Sequence, residues 1–151
     1  MSQIEKRLNQ MGLSLGHPKP PVANYVGTSQ VGTLLFVSGR VSEKRGRVGE
    51  SVDEQEAKKA ARDAMLDLLA IIKSDIGDLD RISSILKVQG FVNADSSVET
   101  LPQIIDGASE LLIALYGEEA GIHARTATGA AQLPYGATVQ LDMVVEIAGK
   151  T

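Results

Sequence analysis

The stretch Ala124-Arg125-Thr126-Ala127-Thr128-Gly129-Ala130-Ala131-Gln132-Leu133-Pro134-Tyr135-Gly136, followed by Val139-Gln140-Leu141-Asp142-Met143-Val144-Val145-Glu146-Ile147, reads as two strands joined by a Pro/Gly turn. In the second, Val139, Leu141, Met143, Val145 and Ile147 alternate with Gln140, Asp142, Val144 and Glu146, which is the two-residue period of a strand. One face is wholly apolar. The other is polar in its first half, so it is not simply a second core. The first strand places a single arginine at the start of a run of small residues. A guanidinium is always charged and offers a planar fork of donors that fits a carboxylate. With Ala and Gly as neighbours, Arg125 has room beside it for something other than protein.

Working outward, Thr100-Leu101-Pro102-Gln103 starts a helix, with proline in the first turn where its missing N–H costs nothing. Ile104, Ala108, Leu111 and Leu115 form its apolar stripe, and Gly117 ends it. Ile82 to Asn93 reads as a strand. Ser51-Val52-Asp53-Glu54 fits a capping box with Ser51 as N-cap, opening a helix to about Asp75. Its stripe of Ala57, Ala60, Ala61, Ala64, Leu68 and Ile71 predicts a helix lying tightly on a sheet. Upstream come two strands, Asn24 to Val31 and Leu34 to Gly39, the second stopping or bulging at Gly39. A further β-ribbon is expected through Arg45-Gly46-Arg47. His17-Pro18-Lys19-Pro20-Pro21 is an extended linker, since proline excludes helix and central strand. Residues 1–15 form a helical extension in which Ile4 to Met11 is helix and Gly12 its cap. About six strands and two main helices in this order predict an α+β protein, with the helices on one face of a mixed sheet.

At 151 residues and 16.0 kDa the chain suits one domain, spanning 1–151. It contains no cysteine, which excludes thiol nucleophiles, disulfides and cysteine-held metals. His17 and His123 are its only histidines and share no carboxylate cluster, so neither a metal nor a cofactor is expected. The net charge of -4 and aromatic share of 3% argue against nucleic-acid binding, which needs clustered cations and stacking platforms. Lys44-Arg45-Gly46-Arg47 is a local basic exception, read as a solvated turn. No apolar run is long enough to span a bilayer and none resembles a signal, so the expected location is cytoplasmic. Ser38 lacks the histidine–acid pair of an activated nucleophile.

Three motifs then carry a resemblance: Asn24-Tyr25-Val26, Gly32-Thr33-Leu34-Leu35-Phe36-Val37-Ser38-Gly39, and Ala124-Arg125-Thr126 followed by Gln132-Leu133-Pro134. From about residue 20 to 148 the chain resembles the RidA (YjgF-like) reactive-intermediate deaminases, in a divergent branch with an extra N-terminal helix. The resemblance implies a chorismate-mutase-like subunit and a homotrimer whose sheets line a central barrel, with ligand pockets between subunits. It puts the family's carboxylate-gripping arginine on Arg125, its pocket tyrosine on Tyr25 and its strand-end glycine on Gly39. The small position after the arginine becomes Ala127. The family's reaction hydrolyses 2-imino and 2-enamino acids to 2-keto acids and ammonia.

The chain departs from that pattern at the acidic residue that positions the attacking water, which falls on Gln140. Glutamine orients water but takes no proton from it near neutral pH. Asp142 lies two residues on and on the same strand face, so it is the substitute if the pocket extends that far. Arg40 stands where the family often carries Ser-Gly-Gln, and its orientation is left open. The expectation is a homotrimer binding a small carboxylate-bearing metabolite through Arg125, Tyr25, Gly39 and Ala127. Gln140 or Asp142 would order the water for hydrolysis. The alternatives are a non-catalytic metabolite-binding or protein-interaction trimer and, more remotely, a ribonuclease.

Overall fold

In the computed structural model, which describes residues 1–21 and 23–149, five strands form one mixed sheet in the order β1-β2-β5-β3-β4. The strands are β1 (Thr28–Val31), β2 (Leu34–Val41), β3 (Ile82–Asn93), β4 (Ala124–Ala130) and β5 (Val139–Ile147). Helices α2 (Glu54–Ile76) and α3 (Leu101–Ala120) link β2 to β3 and β3 to β4, and α1 (Gln3–Gln10) precedes them all. Strand β5 is antiparallel to both β2 and β3, and β4 is parallel to β3. Strands β2, β3 and β4 therefore all run the same way. Both helical crossovers step across the sheet in one direction. Crossovers of one hand stepping the same way must lay both helices on the same face, and the expected α+β architecture follows.

The core lies between that helical layer and the sheet. From β5 it takes Val139, Leu141, Met143, Val145 and Ile147, all buried, while the alternate residues are half-exposed. The alanine stripe of α2 is buried as expected, and α2 packs on β2 and β5 as well as on α3. A Cβ placed on Gly107 of α3 would lie 2.0 Å from the Lys58 carbonyl oxygen of α2. Gly107 thus lets two helices touch backbone to backbone.

Several local expectations are corrected. The N-cap of α2 is Asp53, which accepts from the Glu56 amide at 2.8 Å while Glu56 answers the Asp53 amide. The Ser51–Glu54 box does not form because Val52 is bridged to Val48, which holds Ser51 in the preceding turn. The ribbon through Arg45 reduces to isolated bridges, Arg45 to Ala137 and Val48 to Val52 and Ala94, so the sheet has five strands and not six. Strand β1 begins at Thr28 and not at Asn24. Strand β2 bulges after Val37, as Gly39 suggested, yet continues to Val41. Gly117 breaks α3 with φ 86, and one more turn follows it to Ala120.

Strands β4 and β5 and the Pro/Gly turn between them form as expected, with a short 3-10 turn at Pro134–Gly136. The two strands are not a hairpin, because β3 lies between them. Residues 131–138 carry the chain across the end of β3, a span too long for a tight turn. At the N-terminus, α1 is capped by Ser2 and Glu5 and buries Ile4 and Leu8, so it docks as an extension of the core. Of the range 1–151, Val22 and the last two residues fall outside the described part.

Candidate functional site

Past the end of β1, the outer edge of β2 is left uncovered, and a cavity of about 450 Å³ opens there. Its lining includes Tyr25, Gly39 and Gln140, three of the residues that the sequence marked. Gln140 reaches it from β5, where it pairs with Val41. Gly39 sits in the β2 bulge, and a Cβ there would stand 3.4 Å from Gln140 Nε2. The missing side chain thus keeps the wall low beside that amide. Tyr25, which lies just before β1, is partly exposed.

The same cavity takes residues that the sequence did not mark as a site: His17 and Lys19 of the linker, Asp67 of α2, and Tyr135. Arg40 is among them and so gains an orientation. Its guanidinium stands 5.8 Å from the Tyr25 ring centroid, within cation–π range. Its Nη2 donates to the Lys19 carbonyl at 2.9 Å and its Nη1 to the Pro20 carbonyl at 3.4 Å. Tyr135 is the one non-glycine residue among those described with a left-handed backbone, φ 61. Non-glycine residues rarely hold that conformation, and where they do they cluster near binding surfaces. Burial holds the Asp67 carboxyl above its ordinary range, against the pull of Lys19.

Arg125 and Ala127 lie elsewhere. They are on β4, the opposite edge strand, with Val88 and Gly90 of β3 beside them. Both point to the helical face. Arg125 Nη1 donates to Asp106 Oδ1 at 2.6 Å and to Ser109 Oγ at 3.2 Å, and Nη2 donates to the Pro102 carbonyl at 3.3 Å. The room beside Arg125 is thus partly taken by α3 of its own chain. Its Nε and the second proton on Nη2 make no bond within the described residues. Ser109 Oγ also lies 2.9 Å from His123 Nε2, while His123 Nδ1 is 2.7 Å from the Gly121 carbonyl, which steadies this corner. Ala127 packs against the edge of the core.

Gln140 and Arg125 therefore occupy opposite faces of the sheet. Two strand spacings and three residue steps separate them, about 14 Å along the backbone lattice. No single copy brings them together.

Asp142 faces the open side of the sheet with Gln140, paired across to Gln89 of β3, but the cavity stops short of it. Burial pushes its carboxyl above the ordinary range, with Lys87 pulling the other way. On the same open face lie Phe36, which is 47% exposed, and Val144 paired opposite it. No layer of this chain covers them. Among the described residues no group of three or more acidic or histidine side chains is placed to hold a metal, and no helix is long and apolar enough to cross a membrane.

A family model described as "YjgF/chorismate_mutase-like, putative endoribonuclease" matches residues 5–147. Protein TCP17 of Trypanosoma cruzi is 35% identical over 96% of this chain and 94% of its own length. The crystal structure of Atu1372 from Agrobacterium tumefaciens, a protein of unknown function, superposes with a TM-score of 0.90 at 37% identity. That match covers 97% of this chain and 93% of the other. A Shewanella oneidensis MR-1 protein called a "putative endoribonuclease" gives 0.91 at 31% identity, covering 95% and 99% respectively.

Proposed function

Because the chain belongs to the YjgF/chorismate-mutase-like (RidA) family, we propose that it binds small 2-imino, 2-enamino or 2-keto acids in clefts between three copies. The observation that carries this reading is the division of the marked residues between the two edges of one sheet. Tyr25, Gly39 and Gln140 stand at the β2 edge, and Arg125 and Ala127 at the β4 edge. Head-to-tail association that closes into a ring brings unlike edges together. It also covers the open face that leaves Phe36 in water. In such a cleft the unused donors of Arg125 take the ligand carboxylate, and Gln140 of the adjoining copy holds a water at the imine carbon.

Hydrolysis would add the oxygen of that water to the imine carbon and break the carbon–nitrogen bond. It would release ammonia and leave the 2-keto acid. Gln140 can orient the water but cannot accept its proton, and Asp142 lies beyond the cavity wall. This favours binding over fast turnover, and a non-catalytic metabolite-binding trimer is the second reading. Ribonuclease action is disfavoured by the net charge of -4.

The test combines solution mass, thermal protection and ammonia release. The mass should be three times 16.0 kDa. Saturating 2-ketobutyrate should raise the melting temperature, and Arg125→Ala should remove that protection while leaving the trimer. Gln140→Glu should speed ammonia release from freshly generated 2-aminoacrylate by about 10²-fold, the usual contribution of a placed general base. A monomer, or full protection in Arg125→Ala, overturns the intersubunit site. An unchanged rate in Gln140→Glu favours the non-catalytic reading.

A further inference from the structure

The cavity at the β2 edge holds positive charge that the chain does not neutralise. Lys19, Arg40 and Arg45 line it against Glu43 and Asp67. Lys19 and Glu43 form an ion pair with each other. Neither Arg40 nor Arg45 has a carboxylate within 4.0 Å among the described residues, whereas Arg125 has Asp106. The remaining acid, Asp67, is half-buried; burial raises its carboxyl, while Lys19 and Arg40 pull it the other way without pairing with it.

Arg40 is also incompletely bonded. Two of its donors reach backbone carbonyls of the linker, while Nε is buried and has no partner among the described residues. The Tyr25 ring fixes one face of the guanidinium. The second protons on Nη1 and Nη2 make no bond among the described residues, so an acceptor that reached them would meet a cation already positioned. At about 450 Å³ the cavity also offers more room than a three- or four-carbon acid fills.

We propose that Arg40 binds a second carboxylate, so that the site takes small 2-oxo and 2-imino dicarboxylic acids, one end held by Arg125 of the partner subunit and the other by Arg40. This rests on the intersubunit reading above and adds the class of ligand to it. A monocarboxylic acid in the same cleft leaves the Arg40 cation unanswered. A diacid satisfies both guanidinium groups.

Calorimetric titration of the assembled protein with 2-ketobutyrate and with 2-oxoglutarate tests it. In the unaltered protein the diacid should bind at least about tenfold tighter, the worth of one charge-assisted contact. Arg40→Gln should erase that margin and leave 2-ketobutyrate binding unchanged. Arg40→Lys, which keeps a cation on a shorter reach, should retain most of it. Arg125→Gln should weaken both acids together. Equal affinity for the two acids in the unaltered protein overturns the proposal, as does a margin that survives Arg40→Gln. An equal loss in Arg40→Gln and Arg40→Lys also overturns it, because that is what linker anchoring alone would give. If Arg125→Gln leaves both affinities intact while the Arg40 margin behaves as expected, the Arg125 assignment fails and the Arg40 one stands.

Discussion

At the β4 edge, Arg125 ends on a carboxylate of its own chain, with Asp106 at 2.6 Å, Ser109 and a helix carbonyl completing the set. At the β2 edge, Arg40 ends on two backbone carbonyls and an aromatic face, beside a cavity, with Nε unanswered. One guanidinium is matched by full opposite charge and the other only by dipoles. A residue type and its neighbours in sequence thus do not say which arginine is free to meet a ligand. Arg125 looked open because Ala and Gly flank it along the strand, but the space above a sheet edge belongs to the helix packed over it. Arg40 follows the bulge at the end of β2, where the nearest helical acid, Asp67 of α2, lines the same cavity but makes no ion pair with it.

The strongest way to break the comparison is to disturb what both edges share. Helix α2 backs β2 and β5, α3 backs β3 and β4, and Gly107 allows the two helices to touch. Gly107→Val puts a branched side chain where even a Cβ falls 2.0 Å from the Lys58 carbonyl. The expected loss is about 3 kcal/mol, the upper end of overpacking costs, measured by denaturant unfolding. The cavity at β2 and the Arg125 cluster should loosen together. A loss below about 0.5 kcal/mol, the level of an ordinary surface change, would mean that the helices are not locked there.

A smaller change sharpens the contrast by making the two arginines alike. Asp106→Asn leaves a hydrogen-bond acceptor near Arg125 but removes the charge. Arg125 should then bind a ligand carboxylate more tightly, by up to about fivefold in 2-ketobutyrate affinity, as an exposed ion pair is worth about 1 kcal/mol or less. Unfolding stability should fall by no more than that amount. Weaker binding in Asp106→Asn would show that Asp106 aims Arg125 and does not compete for it.

Much of the scaffold was legible because its signals are local. The alternation along β5 and the span of β3 depend on the chain's own period, and both appear where the sequence put them. The α2 cap was misplaced by two residues because Ser51–Glu54 and Asp53–Glu56 satisfy the same spacing, and only the Val48–Val52 bridge decides between them. The Pro/Gly turn between β4 and β5 is where the sequence put it, but adjacency in sequence does not fix adjacency in a sheet once a crossover strand can insert. For the site, Tyr25, Gly39 and Gln140, which the resemblance marked, line one cavity. The resemblance could not show that Asp106, nineteen residues before Arg125, would face it. The orientation of Arg40 depends on a bulge and on linker carbonyls, and neither leaves a periodic trace.

Asp142 offers the smallest effect and a test of what lies between the two edges. It sits on the open face, and burial there raises its carboxyl above the ordinary value of 3.8. A raised acid binds a proton in the folded chain that the unfolded chain has already lost. Stability from this group is therefore full below about pH 4 and declines as pH rises through the folded value, so at pH 7 the charged form is a liability. Asp142→Asn removes that liability. Its melting temperature should exceed that of the unaltered protein at pH 7 by on the order of 2 °C, and the gap should close near pH 3. A gap that persists at pH 3 would assign the effect to packing. Because copies that close over the open face would desolvate Asp142 further, the pH 7 gap should also widen with protein concentration. A gap that does not widen over the range in which the copies assemble would leave that face in water and remove the ring that unites Arg125 with Gln140.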